Sequence, residues 1–266
     1  PRKRLSVASY PFRKLLDPKT GTMSLLEFPA LVRKKFDIQG IEPLSRHFAS
    51  TDDAYLAQFR KALATARTHA VNIPVSGIPS FYHPDEAVRH QAVEDSVHWL
   101  DVAIKIGSPS VRLHIAGVKG VQPNVELASA TLSRITEAAV QKNVVVNLEN
   151  DDPKSEDPFF IDRALNKVDS PYLRALPDFC NSMLNGNNPD FNSKALTTLF
   201  AKAYNISHAK DSEVNGAQIY RVDMAQIFAI ARKANYRGYF SMEWEGDGEP
   251  FAGTQRLLDA SLRALA

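Results

Sequence analysis

Short apolar runs alternate with longer amphipathic segments along this chain, and the alternation repeats eight times. The first run is "RLSVASY" and the last is "YRGYFSMEWEG", and each is followed by a segment whose apolar residues recur at helical spacing. Parallel strands need a crossover connection, which is usually a helix. Eight strand–helix units in 266 residues therefore predict an α/β protein, a (β/α)₈ barrel formed by a single domain over residues 1–266.

An open, doubly wound sheet is the alternative for the same alternation. Such sheets more often carry a glycine-rich turn after the first strand, and the corresponding segment "SYPFRK" contains no glycine. The longest irregular stretch, "ENDDPKSEDP" at residues 149–158, directly follows a predicted strand. In a barrel, loops that follow strands lie on the face where active sites are built. The barrel is thus the preferred prediction.

Composition narrows the classes of partner. The 32 Lys and Arg against 30 Asp and Glu leave a net charge of +2, and the only basic run is "PRKR" at the start, so no nucleic-acid partner is predicted. A single cysteine, Cys180, excludes an internal disulfide and a cysteine-based zinc cluster. No apolar run is long enough to cross a membrane. Because the chain begins at Pro1, both a cytoplasmic and a periplasmic location stay open, the latter with a signal peptide upstream.

A side chain able to bind metal lies near the end of each of the last four predicted strands. These side chains are Glu149 in "VVVNLEN", Asp178 in "LRALPDF", His208 in "NISHAK" and Glu243 in "YFSMEWE". The C-terminal ends of barrel strands converge on one face, so the four are expected to meet there. Three carboxylates and one imidazole suit Mn²⁺, Mg²⁺, Co²⁺ or Zn²⁺.

The alternation of side chains along the last strand supports Glu243 as a metal ligand. Glu243 and Glu245 share one face of the last strand and Trp244 lies on the other, so both acids point where a core is normally apolar. A buried carboxylate without a partner is costly, and a divalent cation would compensate its charge. Any one of these acids alone would more often be a solvated loop residue. Four ligands at the same end of consecutive strands form a stronger signal.

The motifs "NLEN", "LPDFCN", "SHAKD" and "SMEWEG", in this order, resemble the xylose isomerase-like TIM-barrel superfamily. The resemblance extends over nearly the whole chain, from "LSVASYPFR" to the last helix. The superfamily, which is also the AP endonuclease family 2 type, includes ketose 3-epimerases, inosose isomerases and dehydratases, hydroxypyruvate isomerases and endonuclease IV. The resemblance implies that the four strand-end residues bind one divalent metal ion, and that Glu149 and Glu243 also transfer protons.

Six further side chains are expected around this site as substrate-binding residues: Glu42, His83, Arg112, His114, Asn181 and Lys210. Arg112 and His114 share one face of the strand "VRLH". Glu42 either braces Arg112 or a substrate hydroxyl, or forms a structural ion pair with Arg112 below the site, and the sequence leaves both alternatives open. His83 follows the third predicted strand on the side of the barrel that faces the site.

Asn181 and Lys210 bear on the type of reaction. Ketose epimerases of the superfamily often carry histidine three residues after the aspartate ligand, where this chain has Asn181. An asparagine amide donates a hydrogen bond but cannot shuttle a proton. Lys210, two residues after His208, is expected to bind an anionic or carbonyl group or to donate a proton, unless it only pairs with Asp211 or Glu245.

The sequence thus predicts a metal-dependent sugar isomerase or epimerase that acts on a keto sugar or keto polyol through an enediolate, with two glutamates transferring the proton. A dehydratase or lyase on the same scaffold is the alternative, because it shares the enediolate. An endonuclease IV-type enzyme is less favoured, since the additional histidines of its metal cluster are missing. A non-catalytic sugar-binding barrel is disfavoured by the complete ligand set. The expected partner is a small carbohydrate, and a homo-oligomer stays open.

Overall fold

Strands and helices alternate through the computed structural model, which describes residues 1–246 and 248–266. The strands are β1 (Leu5–Ala8), β2 (Gly40–Glu42), β3 (His69–Ala70), β4 (Ile73–Pro74), β5 (Ser110–Leu113), β6 (Val145–Glu149), β7 (Leu173–Leu176), β8 (Ile206–Ala209), β9 (Ser212–Asn215), β10 (Gln218–Arg221) and β11 (Tyr239–Met242). The helices are α1 (Arg13–Leu16), α2 (Phe28–Phe36), α3 (Asp53–Ala66), α4 (Glu86–Ile106), α5 (Val125–Lys142), α6 (Pro158–Val168), α7 (Pro189–Phe200), α8 (Met224–Lys233) and α9 (Pro250–Leu265).

Two parallel sheets make up the barrel, with strand orders β3-β2-β1-β11-β8 and β4-β5-β6-β7. On one side the chain passes from β3 directly into β4, so one sheet continues into the other. On the other side the Phe179 N–H donates to the His208 carbonyl at 3.2 Å, and the His208 N–H donates to the Pro177 carbonyl at 3.1 Å. With β3 and β4 taken as one interrupted strand, this is the predicted (β/α)₈ arrangement.

Local sequence signals explain where the outer helices begin and end. Asp85 and Asn124 cap the N-termini of α4 and α5 by accepting hydrogen bonds from backbone N–H groups of the first turn. The helix α4 ends at Gly107, whose φ of +79° is the left-handed conformation that glycine adopts without strain. Among the described residues, no helix combines the length and the apolar character needed to cross a lipid bilayer.

An antiparallel hairpin, β9–β10, interrupts the passage from β8 to α8, where the sequence analysis assigned no element. Its strands pair from Asn215 with Gln218 to Ser212 with Arg221, which leaves a two-residue turn. Gly216 occupies the first position of that turn with a φ of +62°. A glycine at the first of the two turn residues is a hairpin signal, and here the turn is Gly216–Ala217. The hairpin follows directly on Lys210 and therefore lies at the mouth of the barrel.

The last strand is shorter than the predicted run, because β11 ends at Met242. The predicted alternation of faces nevertheless continues beyond it. A Cβ placed on Gly253 of α9 would lie 2.3 Å from atoms of the Trp244 ring, so only glycine allows the ring to pack against this helix. With Trp244 facing the helix layer, Glu243 and Glu245 face the mouth of the barrel, where both line a cavity.

Candidate metal centre

A cavity of about 520 Å³ opens at the C-terminal ends of the barrel strands. Strand ends and the loops that follow them supply its walls: Tyr10, Arg13, Leu44, Arg46, Ser76, Arg112, His114, Glu149, Asp151, Asn181, Lys210, Glu213, Val214, Glu243, Glu245 and Gly246. Ten of these sixteen residues are Arg, Lys, His, Asp or Glu, so the cavity suits a polar, hydroxylated ligand more than an apolar one.

The four strand-end residues lie together at the base of this cavity. One ligand atom from each of Glu149, Asp178, His208 and Glu243 lies within 4.8 Å of the corresponding atom of every other. All four side chains are buried. Glu149 closes β6, His208 lies in β8, and Asp178 is held beside His208 by a backbone bridge. The barrel geometry therefore brings together residues that are up to 94 positions apart in the chain (from 149 to 243).

His208 is surrounded by carboxylates on both sides of its ring. Its Nδ1 atom lies 2.5 Å from Glu149 Oε1 and 3.0 Å from Glu243 Oε2. Its Nε2 atom lies 3.1 Å from both carboxylate oxygens of Glu42. Burial disfavours the charged ring, but the neighbouring Glu149, Glu243 and Glu42 outweigh burial and raise the His208 pKa well above its usual value.

Asp178 carries a buried oxygen that suits a cation. Its Oδ1 atom accepts hydrogen bonds of 2.8 Å from the N–H groups of both Cys180 and Asn181. Its Oδ2 atom is buried and has no hydrogen-bond partner among the residues described in the structure, and the Lys210 ammonium lies 3.6 Å from it. Burial is the main reason why the Asp178 pKa is raised well above its usual value, and the charges of Glu149 and Glu243 add to the effect. A cation among these carboxylates would satisfy the free oxygen and relieve the repulsion.

Lys210 extends across the acidic side of the cavity and is only 4% exposed. Its Nζ atom donates to Asn181 Oδ1 at 2.9 Å and to Glu213 Oε2 at 3.2 Å. Glu245 Oε1 lies 3.3 Å away, and Glu243 Oε2 lies 3.7 Å away. Burial disfavours the ammonium, but Asp178 and the surrounding glutamates outweigh burial and raise the Lys210 pKa well above its usual value.

Arg112 and His114 form a hydrogen-bonded chain on the opposite wall. Arg112 Nε lies 3.1 Å from Glu149 Oε2, and Arg112 Nη1 donates to His114 Nε2. A guanidinium only donates, so His114 uses its Nδ1–H to donate to Glu156 Oε1 at 2.8 Å. Burial opposes ionisation of Glu149, but His208 and Arg112 outweigh burial and lower the Glu149 pKa.

Two predicted side chains lie elsewhere than expected. Glu42 does not brace Arg112, because Arg112 reaches the adjacent strand β6 and pairs there with Glu149, while Glu42 contacts His208 and accepts from Asn72 Nδ2 at 2.8 Å. His83 does not line the cavity. Its Nδ1 atom accepts from the Asp85 N–H at 3.1 Å, so its ring lies at the start of α4.

Other cavity residues were missed by the sequence analysis although signals for them exist. Asp151 lies two residues beyond Glu149 and so continues the same face, and its Oδ2 atom lies 3.6 Å from His114 Nδ1. Glu213 is brought to Lys210 by the β9–β10 hairpin, which the glycine at the first turn position signals. Three more cavity residues carry no distinguishing pattern: Tyr10 before α1, Arg13 at the start of α1, and Arg46 after β2.

A parallel (β/α)₈ barrel with an acidic, histidine-containing cluster at the C-terminal ends of its strands defines a TIM-barrel protein whose site has the donor set of a divalent-metal centre. The chain belongs to the family described as "Xylose isomerase-like TIM barrel", whose sequence model matches residues 32–265. No curated protein sequence matches the chain.

Solved structures share this fold over almost the entire chain. D-allulose 3-epimerase from Methylomonas sp. is 14% identical with a TM-score of 0.76, covering 98% of both chains. 3-Keto-D-glucoside 4-epimerase from E. coli is 15% identical with a TM-score of 0.73, again covering 98% of both. A xylose isomerase-like TIM barrel protein from Mycobacterium smegmatis, in complex with magnesium, is 16% identical with a TM-score of 0.72, covering 99% of this chain and 98% of that one. At these identities the likeness shows the fold.

Proposed function

We propose that this protein is a divalent-metal-dependent isomerase or epimerase of a keto sugar or keto polyol. One observation carries the proposal: four donor atoms of Glu149, Asp178, His208 and Glu243 lie within 4.8 Å of one another below an open polar cavity. The unpartnered Asp178 Oδ2 supports a cation at this place. Epimerases of free ketoses and of keto-glycosides among the structural neighbours support the substrate class.

The metal ion would be held by the same four side chains. Their three carboxylates and one imidazole fit Mn²⁺, Mg²⁺, Co²⁺ or Zn²⁺, and one structural neighbour contains magnesium. When bound, such an ion polarises a substrate carbonyl and so acidifies the neighbouring C–H group.

Glu149 and Glu243 are the proposed proton-transfer residues. Both line the cavity, and against the effect of burial the charges of His208 and Arg112 lower the Glu149 pKa, and those of His208 and Lys210 lower the Glu243 pKa. A bound metal ion would supply this positive charge in place of His208, whose ring is neutral when it is a ligand. One carboxylate removes the proton from the carbon beside the carbonyl and leaves an enediolate. The other carboxylate takes up a proton from solvent in the open cavity and delivers it, either to the opposite face of that carbon, which is epimerisation, or to the neighbouring carbon, which is isomerisation.

The remaining polar groups of the cavity are suited to binding substrate oxygens. Arg112, His114, Asn181 and Lys210 all line it. The Lys210 ammonium carries the positive charge that stabilises an enediolate oxygen, and its four acidic neighbours keep it in place. The direct contacts of Glu42 and His83 are with protein groups, so neither is proposed to touch substrate.

A dehydratase or lyase reaction is the second candidate, and Asn181 favours it. Its amide lies at the cavity wall between Lys210 and the Asn150 carbonyl, with contacts of 2.9 and 3.0 Å. An amide in this position orients a substrate hydroxyl but cannot carry a proton between two carbons. In this reaction the same enediolate expels a hydroxyl or glycosyl group.

One experiment separates these reactions. The protein, loaded in turn with Mn²⁺, Mg²⁺, Co²⁺ and Zn²⁺, is incubated in D₂O with ketoses, inososes and 3-keto-glycosides, and products are followed by NMR. Deuterium at the carbon beside the carbonyl together with an epimer or isomer is expected. Deuterium with loss of a substituent would select the lyase. The variant His90→Gln, at an exposed position of α4, should react like the wild-type protein and serves as a control for the preparation.

The same preparation tests the less favoured classes. Cleavage of abasic-site DNA by nuclease-free protein would promote an endonuclease IV-type function. Binding of a sugar without deuterium exchange, for every metal and every sugar, would indicate a binding protein instead. Absence of any bound metal would remove the basis of the proposal.

A further inference from the structure

We infer that Glu42 is a positioning residue that holds the His208 ring so that Nδ1, and not Nε2, is the nitrogen that binds the metal ion. The inference rests on the proposed metal site and adds a residue that does not line the cavity. Glu42 and His208 are both completely buried, so their contact is shielded from water.

The two nitrogens of His208 face different surroundings. Nδ1 points to the site, 2.5 Å from Glu149 and 3.0 Å from Glu243, both of them proposed ligands. Nε2 points away from the site, 3.1 Å from each oxygen of the Glu42 carboxylate. A metal-binding nitrogen must present a lone pair, whereas the other nitrogen of the same neutral ring carries the proton. The group that faces Nε2 therefore decides which nitrogen can bind.

A directional chain of hydrogen bonds in the barrel interior determines what Glu42 can do. Asn205 Nδ2 donates to Ser110 Oγ at 2.8 Å, and the Ser110 hydroxyl donates to Asn72 Oδ1 at 2.6 Å. Asn147 Nδ2 approaches the same Asn72 oxygen at 3.4 Å. With its oxygen occupied, Asn72 turns its Nδ2 group to Glu42 Oε1 at 2.8 Å.

Glu42 is the acceptor at the end of this chain. Glu42 accepts from Asn72 and presents both carboxylate oxygens to His208 Nε2, and a carboxylate only accepts hydrogen bonds. His208 must therefore donate from Nε2, and its Nδ1 lone pair is directed to the site. A carboxylate behind a metal-bound histidine acts in this way generally, by fixing the tautomer and the ring orientation.

The decisive variant is Glu42→Gln, which preserves size and burial but adds a donor. The oxygen of the introduced amide would accept from Asn72, which turns the amide N–H group toward His208 Nε2. Nε2 then has to accept, so the ring proton moves to Nδ1, where it competes with the metal ion. Loss of such a partner typically costs ~10–100-fold in metal affinity. We expect a loss of this size for Zn²⁺, measured by competition with a chromophoric chelator.

Two further variants keep the outcome interpretable. Combining Glu42→Gln with Asn72→Asp reverses the pair, so that the carboxylate at position 72 accepts from the amide at position 42, whose oxygen then accepts from His208. We expect this double variant to recover most of the lost Zn²⁺ affinity, whereas a purely structural loss would not be recovered. Glu213→Gln is the matched control, because Glu213 is also buried but contacts Lys210 and not His208.

The tautomer itself is read from the ¹⁵N shifts of the His208 ring in Zn²⁺-loaded protein. We expect a protonated Nε2 in the wild-type protein. If wild-type protein binds Zn²⁺ and Glu42→Gln binds it within about twofold as tightly, or if Nε2 is the metal-bound nitrogen, the inference about Glu42 is wrong while the metal site stands. If wild-type protein binds none of the four metals, the proposed function fails, and the inference falls with it.

Discussion

The carboxylate of Glu243 lies 3.0 Å from His208 Nδ1, in the centre of the acidic cluster. Glu245, two residues further along and on the same face, does not reach the cluster of four donor atoms and instead lies 3.3 Å from Lys210. The two side chains are chemically identical and close in sequence. A difference in metal content or activity between their variants would therefore come from where each carboxylate lies in the site.

Glu243→Gln is expected to lower both metal content and turnover, because it removes a proposed ligand and a proposed base. Removal of a base alone typically costs ~10²–10⁴-fold in rate. Glu245→Gln is expected to retain the metal ion, since Glu245 contacts Lys210 and not the cluster. Both variants are checked by measuring their metal content by emission spectrometry and their turnover of the identified substrate. Greater damage from Glu245→Gln would show that the two roles are reversed.

Asp178→Asn tests whether the unpartnered Oδ2 atom binds a cation. Wild-type protein is expected to melt at a higher temperature when metal is added, because a ligand at about 100 times its Kd stabilises the native state by ~2.7 kcal/mol. Asp178→Asn keeps an oxygen for the Cys180 and Asn181 N–H groups but loses the second carboxylate oxygen. Its melting temperature is expected to be insensitive to metal. An equal metal-dependent shift in both proteins would contradict the assignment.

Arg112→Lys is expected to reduce turnover while metal affinity is largely retained. The guanidinium contacts Glu149 and His114 at once, and a single ammonium cannot reproduce that forked geometry. We expect kcat to fall by up to ~10²-fold, the cost that a misplacement of about 1 Å can carry. Arg134→Lys, on the outward side of α5, is the control. Loss of metal from Arg112→Lys would mean that Arg112 positions Glu149 as a metal ligand rather than as a base.

His47 is expected to make the protein less stable in mild acid. Its Nδ1 atom lies 2.9 Å from Ser9 Oγ, and burial, aided by the charge of Arg46, lowers the His47 pKa to about 4. Between this value and the unfolded value of about 6.5, the unfolded chain binds the additional proton. Stability therefore decreases as pH falls from about 6.5 to 4, by on the order of 2–3 kcal/mol.

Urea unfolding at pH 7 and pH 4.5 measures this dependence. His47→Asn keeps a polar atom near Ser9 but cannot be protonated, so the free energy of unfolding of this variant should change less between the two pH values. His90→Gln, at an exposed position, should keep the wild-type dependence. An unchanged difference in His47→Asn would place the pH-sensitive group elsewhere.

The barrel and the meeting of Glu149, Asp178, His208 and Glu243 could be predicted from sequence because both depend on local rules. Alternation of strand and helix requires only periodicity and start and stop signals within each segment, such as Asp85 and Gly107 around α4. Alternate residues of a strand face the same side, which places Glu149 and Glu243 on the inner face of the barrel. Because each lies near the C-terminal end of its strand, both lie at the mouth of the barrel. Their roles as ligands and bases, the single domain and the oligomeric state stay predictions.

Only the tertiary structure decided which inner side chains meet. Arg112 pairs with Glu149 on the neighbouring strand, and Glu42 reaches His208 across the barrel, although the sequence left a pairing of Arg112 with Glu42 open. The stagger of parallel strands sets the height of each side chain, and stagger is a property of the closed barrel rather than of any segment. The hairpin that brings Glu213 to Lys210 is signalled locally by its turn, but where it folds depends on the packing around it.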